Sequence, residues 1–296
     1  MDDFASVLKR GLAGAGKGAP LLVAGLIAGL VYAVGLFNRV DVTTADTPTI
    51  LVSALISFIP LVVIPYVTGG ALGYALEASA GGKPGWQTFF EAARKHYASL
   101  FLAGIAIFLL FNLAALIMIS GTANAFTLCM MFLFGVIGLF VVMMFLEFFD
   151  VAIVSGDLSA MDGLRASIAF VRANLRRVLP FFLIVVVAKL FVQLPAYTAD
   201  MLRMIATIGS NFSLMFNNTT NGTLNESYLN ATQTALATPM STSSLIAVAG
   251  LQILVQIVVF AFVISFKAEF WRWAKSYKPA KKITDFDYDF SDEKSE

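Results

Sequence analysis

The sequence is poor in charged residues, cysteine and histidine. Charged residues make up 13% of its 296 residues, about half of the roughly 25% typical of soluble domains. Hydrophobic residues make up 58%, more than the interior of a soluble domain of this size can hide. The composition therefore excludes an ordinary soluble enzyme, a nucleic-acid-binding domain and a disordered protein.

The single cysteine and the single histidine exclude most metal and nucleophile chemistry. Cys129 lies inside an apolar run, so no disulfide can form within one chain and no cysteine-based metal site exists. His96 alone would have to support any zinc site or Ser-His-Asp triad. Since the sequence also offers no paired nucleophile and base, we expect no enzyme activity, no cofactor and no metal.

Long apolar runs are what the sequence has in abundance. Crossing ~30 Å of hydrocarbon takes a helix of roughly 18 residues or more. Six such runs cover about residues 20–37, 48–76, 97–119, 125–154, 179–194 and 245–270. All should be helices, because lipid offers no partner for exposed backbone groups. The predicted fold class is an all-α integral membrane bundle of six transmembrane helices over residues 1–274, with a charged, disordered cytoplasmic tail at 275–296.

The second run carries the clearest helix signals. Thr47 is predicted to cap the helix ahead of Pro48, which suits the first helical position. Pro60 and Pro65 each remove a backbone donor and predict a kink.

Lysine and arginine are distributed unevenly along the chain. If the N-terminus is cytoplasmic, all but three of the 20 basic residues fall in cytoplasmic segments or at the cytoplasmic ends of spans. The exceptions are Arg39, Lys189 and Arg203. The positive-inside rule therefore predicts six spans with both termini in the cytoplasm and an extracellular loop at 195–244. The expected location is the plasma membrane.

The predicted extracellular loop is rich in Asn-x-Ser/Thr sequons, which are glycosylated only on the translocated side of a membrane. The candidate glycosylation sites are Asn217, Asn218, Asn221, Asn225 and Asn230. Chance sequons in a loop rich in Asn and Thr are the alternative explanation.

The cytoplasmic segments resemble one another. Each carries basic and apolar residues at helical spacing and leads into a span; they lie at 4–11, 85–95 and 163–172. We interpret this as a threefold hairpin repeat, in which each unit is an amphipathic cytoplasmic helix followed by a transmembrane hairpin. The third such helix suits a position at the headgroups. Ordinary charged connectors are the alternative.

Two short stretches carry a family resemblance. They are Gly163-Leu164-Arg165-Ala166-Ser167 through Pro180-Phe181-Phe182, and Lys17-Gly18-Ala19-Pro20. The pattern resembles uncharacterised prokaryotic, often archaeal, multi-pass membrane families related to the membrane domain of glycerophosphodiester phosphodiesterases. The resemblance implies a helical membrane module. It implies no hydrolase activity, because the sequence has no hydrolase domain.

Two pairs of glycines are candidates for close helix packing. Gly25 and Gly29 form a G-x-x-x-G pattern in the first span, and Gly69 and Gly73 repeat the spacing in the second. Such patterns let two helices approach closely. Packing within the chain and homodimerisation both fit.

Three charged residues are candidates for an intramembrane role. Lys189 would lie ~15 Å deep in the fifth span, with no carboxylate expected at the same depth. Glu147 and Asp150 lie three residues apart, so one helix face can carry both. Charges inside membranes are costly and often functional. A proton or cation path is one interpretation; structural pairing and snorkelling of the lysine to the interface are the other.

Two functional hypotheses follow. The first is a non-catalytic membrane scaffold or accessory module that acts through its amphipathic helices. The second is a small-solute or ion transporter or channel that uses Lys189, because repeats often build transporters. The expected partners are the lipid bilayer and either another membrane subunit or a second copy of the chain; no nucleic acid is expected.

Overall fold

The computed structural model describes residues 3–16, 18–38, 46–120, 125–217 and 241–276. Within these ranges all regular structure is helical. The eight helices are α1 (Phe4–Ala15), α2 (Ala19–Phe37), α3 (Thr47–Ser79), α4 (Trp86–Ser120), α5 (Ala125–Leu146), α6 (Phe149–Gly156), α7 (Ala160–Asn217) and α8 (Thr242–Ser276).

Most of these helices are long and apolar enough to cross a membrane. Five candidate spans meet that condition: Thr47–Ser79, Trp86–Ala114, Ile137–Gly156, Ala160–Ala199 and Thr242–Ser276. A sixth is present if Phe4–Ala15 and Ala19–Gly35, which are bent by 82° relative to each other, count as one span. The predicted class, an all-α membrane bundle, is confirmed, with five or six spans.

The N-cap of helix α3 lies one residue earlier than predicted. Asp46, not Thr47, is the N-cap, and its Oδ1 accepts a hydrogen bond from the backbone N–H of Thr49 at 3.1 Å. Hydrogen bonds from Thr49 hold the pKa of Asp46 below its usual value. Pro60 and Pro65 both lie inside this one helix, which continues across them.

Helix α8 lies at the centre of the bundle, where it packs against α1, α2, α3 and α7. Its C-terminal half enters an aromatic core. The ring of Phe148 lies 4.8 Å from that of Phe170, 5.0 Å from that of Phe181 and 5.6 Å from that of Phe270. Because these rings come from α7, α8 and the residue before α6, their packing joins three helices at one end of the bundle.

The three segments interpreted as a repeat join their spans in three different ways. The first is α1, which bends sharply into α2. The second is the beginning of α4, a helix without interruption from Trp86 onward. The third is the beginning of α7, which is separated from the rest of that helix by non-helical backbone at Asn174 (φ −124°, ψ 22°).

The apolar sides of the first and third segments face protein. Val7 of α1 is fully buried, and the ring of Phe4 lies edge-on to that of Phe266 in α8, with centroids 6.0 Å apart. In α7, Val171 is fully buried while Arg172 is exposed. Both segments therefore dock on the bundle through apolar residues.

Two predicted boundaries differ from the structure. The fourth run, 125–154, is interrupted at residues 147–148, which separate α5 from α6. The fifth helix does not end near residue 194: α7 continues through Pro195 to Asn217, so part of the predicted loop at 195–244 is helical. A proline inside a membrane helix is tolerated where the freed backbone groups find other partners.

Candidate functional site

Four charged side chains meet inside the bundle: Glu147, Asp150, Lys189 and Lys267, hereafter the buried ion cluster. The Nζ of Lys267 lies 2.9 Å from Oε1 of Glu147 and 3.0 Å from Oδ2 of Asp150. The Nζ of Lys189 lies 3.0 Å from Oε2 of Glu147. The cluster thus joins α6, α7 and α8 to Glu147, the residue that follows α5.

The cluster balances two carboxylates against two ammonium groups, but its members differ in exposure. The side chains of Glu147 and Lys267 are each 6% exposed, and that of Asp150 is 9% exposed. The side chain of Lys189 is 48% exposed. Because a buried charge without a partner costs several kcal/mol, the three buried members must stay paired. Lys189 is the member with surface left for another contact.

A break between two helices places Glu147 at the cluster. Residues 147 and 148 are non-helical, and the break is held by Ser167 of α7, whose side chain is fully buried. The hydroxyl of Ser167 accepts a hydrogen bond from the backbone N–H of Phe148 at 3.1 Å and donates one to the carbonyl of Phe145 at 2.7 Å. Ser167 therefore satisfies backbone groups that a helix break would leave without partners.

A cavity of about 340 Å³ adjoins the cluster, hereafter the central cavity. It lies between α2, α3, α6, α7 and α8, and Asp150, Lys189 and Lys267 form part of its wall. Its uncharged polar lining residues are Tyr32, Thr68, Gln193 and Gln256, and the rest of the lining is apolar. A mostly apolar cavity with a few polar groups converging on it is the common form of a small-molecule site.

Buried amides continue the polar wall along α8. Gln256 is 8% exposed and lines the cavity. Gln252 lies one turn farther from the ion cluster and is 3% exposed, and its Oε1 has no hydrogen-bond partner among the described residues. A buried amide oxygen without a partner costs roughly 1–3 kcal/mol, so this position favours a bound water or a polar ligand group beside it.

One family model matches nearly the whole chain. It is described as Domain of unknown function (DUF7847), and it covers residues 3–274. The chain belongs to this family. The match includes all four residues of the buried ion cluster, so the cluster lies in the DUF7847 domain itself. No curated protein and no solved structure matched the chain. The relation to phosphodiesterase membrane domains stays a prediction.

The structure brings together all three of the charged residues chosen from the sequence. The expectation that Lys189 has no carboxylate at its depth is wrong, because both oxygens of Glu147 lie within 3.1 Å of its ammonium group. The contact forms because the break after α5 places Glu147 near α7 and because the lysine side chain is long enough to reach it. Lys267 and Ser167 were not among the residues selected from the sequence, and the residues before Ser167, Gly-Leu-Arg-Ala, gave no signal of its role.

The glycine pairs lie at contacts within the chain. A Cβ on Gly25 would lie 2.8 Å from the Cα of Ile257, and one on Gly29 would lie 3.1 Å from the Cα of Ile253. Both contacts join α2 to α8. A Cβ on Gly69 would meet Leu100, and one on Gly73 would meet Ala92, so that pair joins α3 to α4.

The glycosylation candidates are described in part. Asn217 is the last residue of α7. Asn218, Asn221, Asn225 and Asn230 lie outside the described residues, as does the tail beyond Ser276. In the part of the chain that the structure describes, no group of three or more His, Cys, Asp or Glu side chains could hold a metal ion.

Proposed function

We propose that this protein binds a small anionic solute in the central cavity and passes it across the membrane. The observation behind the proposal is the half-exposed ammonium group of Lys189 in the wall of a cavity inside the bundle. Ionisable groups inside a membrane are expensive to keep and mark solute or ion pathways.

The arrangement of charge favours an anion over a cation. Glu147 and Asp150 are already paired with Lys267, and they are nearly buried. Lys189 has three N–H donors, and its contacts in the cluster go to one carboxylate. Its remaining capacity as a donor, together with the amides of Gln193 and Gln256 in the same wall, suits a carboxylate or a similar small anion.

The amide oxygen of Gln252, which has no hydrogen-bond partner among the described residues, supports passage as well as binding. It extends the polar face of α8 beyond the cavity, away from the ion cluster. A polar path toward the other membrane face would give this amide a partner.

The proposed orientation follows the distribution of basic residues. The N-terminus and the C-terminus lie in the cytoplasm, and residues 195–244 lie outside the plasma membrane. In this orientation, the ion cluster lies toward the cytoplasmic half of the bundle, and the sequons of the loop lie on the side where glycosylation occurs.

The test combines binding with flux. Purified protein is screened by thermal shift with acetate, lactate and succinate, and the strongest stabiliser is then used in radiolabelled form for uptake into proteoliposomes. We expect Lys189→Met to weaken binding about tenfold or more and to reduce uptake, because the loss of one charged hydrogen bond is worth about that factor. Lys9→Met, an exposed lysine on α1 that does not line the cavity, is the matched control.

Two results would count against transport. If none of the three anions stabilises the wild type more than Lys189→Met, the cavity is not an anion site. If an anion binds and wild-type proteoliposomes take up no more than empty ones, the protein binds without transporting. A failure of both experiments would favour the scaffold hypothesis.

A further inference from the structure

A second cavity, of about 540 Å³, lies at the cytoplasmic end of the bundle, where α8 ends. It is hereafter the basic pocket. It is formed by residues of α1, α3, α6 and α8, and it does not share a lining residue with the central cavity. Three of its lining residues are cations, Arg10, Arg272 and Lys275, and one, Glu269, is an anion.

We propose that the basic pocket binds the phosphate group of an anionic phospholipid. Glu269 balances one of the three cations: its Oε2 accepts a hydrogen bond from Nε of Arg10 at 3.1 Å. The pocket therefore keeps a net positive charge. Arginine binds phosphate oxygens through a planar fork of N–H donors, and lysine acts as a mobile point charge beside it.

The cations provide the recognition, since two of the hydroxyl groups in the pocket are already donors to the backbone. The hydroxyl of Ser79 donates to the carbonyl of Leu76, and that of Ser276 donates to the carbonyl of Trp273, each at 2.8 Å. These hydroxyls cannot donate to a phosphate at the same time. Binding is therefore expected to depend on Arg272 and Lys275.

The position of the pocket favours a lipid as the source of the phosphate. Two of its lining residues are Trp271 and Trp273, and the ammonium group of Lys275 lies 4.4 Å from the centre of the Trp271 ring. Tryptophan marks the level of the headgroups in membrane proteins. Basic pockets between helices on the cytoplasmic side are places where anionic headgroups bind. A water-soluble phosphate ester would offer the same phosphate group from the aqueous phase, and it is therefore the alternative that the experiment tests.

The experiment uses the full-length protein in a neutral detergent at constant ionic strength, because surface electrostatics are screened by salt. Thermal unfolding is followed during titration with phosphatidylglycerol, phosphatidylcholine and glycerol 3-phosphate. The variant is R272Q/K275Q. The matched control is K9Q/R172Q, which removes one lysine and one arginine that are exposed and do not line the pocket.

We expect phosphatidylglycerol to stabilise the wild type and to bind R272Q/K275Q about tenfold more weakly, with K9Q/R172Q unchanged. Equal stabilisation by glycerol 3-phosphate would overturn the lipid as the source. An equal loss in both double variants would reduce the effect to general surface charge and overturn the pocket. Binding of phosphatidylcholine with the same affinity as phosphatidylglycerol would also overturn the pocket. Since Lys189 takes no part, these results are independent of those for solute transport.

Discussion

Lys267 holds the buried ion cluster together. Its ammonium group contacts both carboxylates, whereas Lys189 contacts Glu147 alone. Its side chain is also almost inaccessible, at 6% exposed. Both carboxylates are nearly buried, so they depend on ammonium partners. Within the cluster, Asp150 contacts Lys267 alone, whereas Glu147 contacts both lysines.

We predict that Lys267→Met destabilises the protein far more than Lys189→Met. The first substitution leaves Asp150 buried without its ammonium partner, and breaking a buried pair in this way costs about 3–5 kcal/mol. The second leaves Glu147 paired with Lys267. Thermal unfolding in detergent, followed by the fraction that stays monodisperse, measures the difference. Asp150→Asn added to Lys267→Met should recover part of the loss; equal losses for the two single variants would contradict the assigned pairing.

The sequence was sufficient to select the charged residues but not to pair them. Lys189, Glu147 and Asp150 were apparent because charge is scarce in apolar runs. Their partners were not apparent because the contacts join residues 42 and 117 positions apart. They also depend on a helix break that Ser167 stabilises from another helix. No local pattern around Glu147 marks that break.

Close approach of α2 to α8 depends on glycine at two positions one turn apart. At Gly25, the atoms that an added Cβ would meet belong to the backbone of Ile257. Backbone atoms cannot rotate away as a flexible side chain can, so the helices themselves would have to separate. Gly35 lies in the same helix, and an added Cβ there would meet no atom within 4 Å.

We predict that Gly25→Ala lowers the thermal stability of the protein and that Gly35→Ala does not. Overpacking of a close contact costs roughly 1–3 kcal/mol, while alanine at an open helical position is favoured over glycine by up to about 1 kcal/mol. Unfolding temperatures of the two variants in the same detergent give the comparison. A Gly25→Ala protein as stable as the wild type would show that α2 and α8 are not in close contact.

Helix positions were predictable where an apolar run ends in polar residues. The first run, 20–37, lies within one residue of Ala19–Phe37, and the second, 48–76, lies inside Thr47–Ser79. Prediction was poorer where a helix continues past such a signal. The predicted fifth span ends at residue 194, just before Pro195, whereas α7 passes through this proline.

At the scale of the molecule, the number of spans depends on α1 and α2. If this bent pair crosses the membrane, six spans place both termini on one side; without it, five spans place them on opposite sides. The apolar runs alone predicted six. Five helices are long and apolar enough on their own, and α1 with α2 adds a sixth span as a pair bent by 82°.

We predict that both termini are cytoplasmic. Cys129→Ser removes the native cysteine, and single cysteines are then introduced as Ala5→Cys, Ser243→Cys or Ser276→Cys at exposed positions. A membrane-impermeant maleimide should label Ser243→Cys in intact cells, and it should label the other two only after the cells are opened. Labelling of Ala5→Cys but not Ser276→Cys in intact cells would establish an odd number of spans.

Helix α7 holds the region around Glu147 at two points on opposite sides of Asn174. On one side, Ser167 forms hydrogen bonds with the backbone of Phe145 and Phe148. On the other side, Lys189 donates to the carboxylate of Glu147. Between these two contacts, the helical backbone of α7 is interrupted at Asn174. A change of angle at Asn174 would disturb at least one of these two contacts, both of which involve residues at or next to the buried ion cluster.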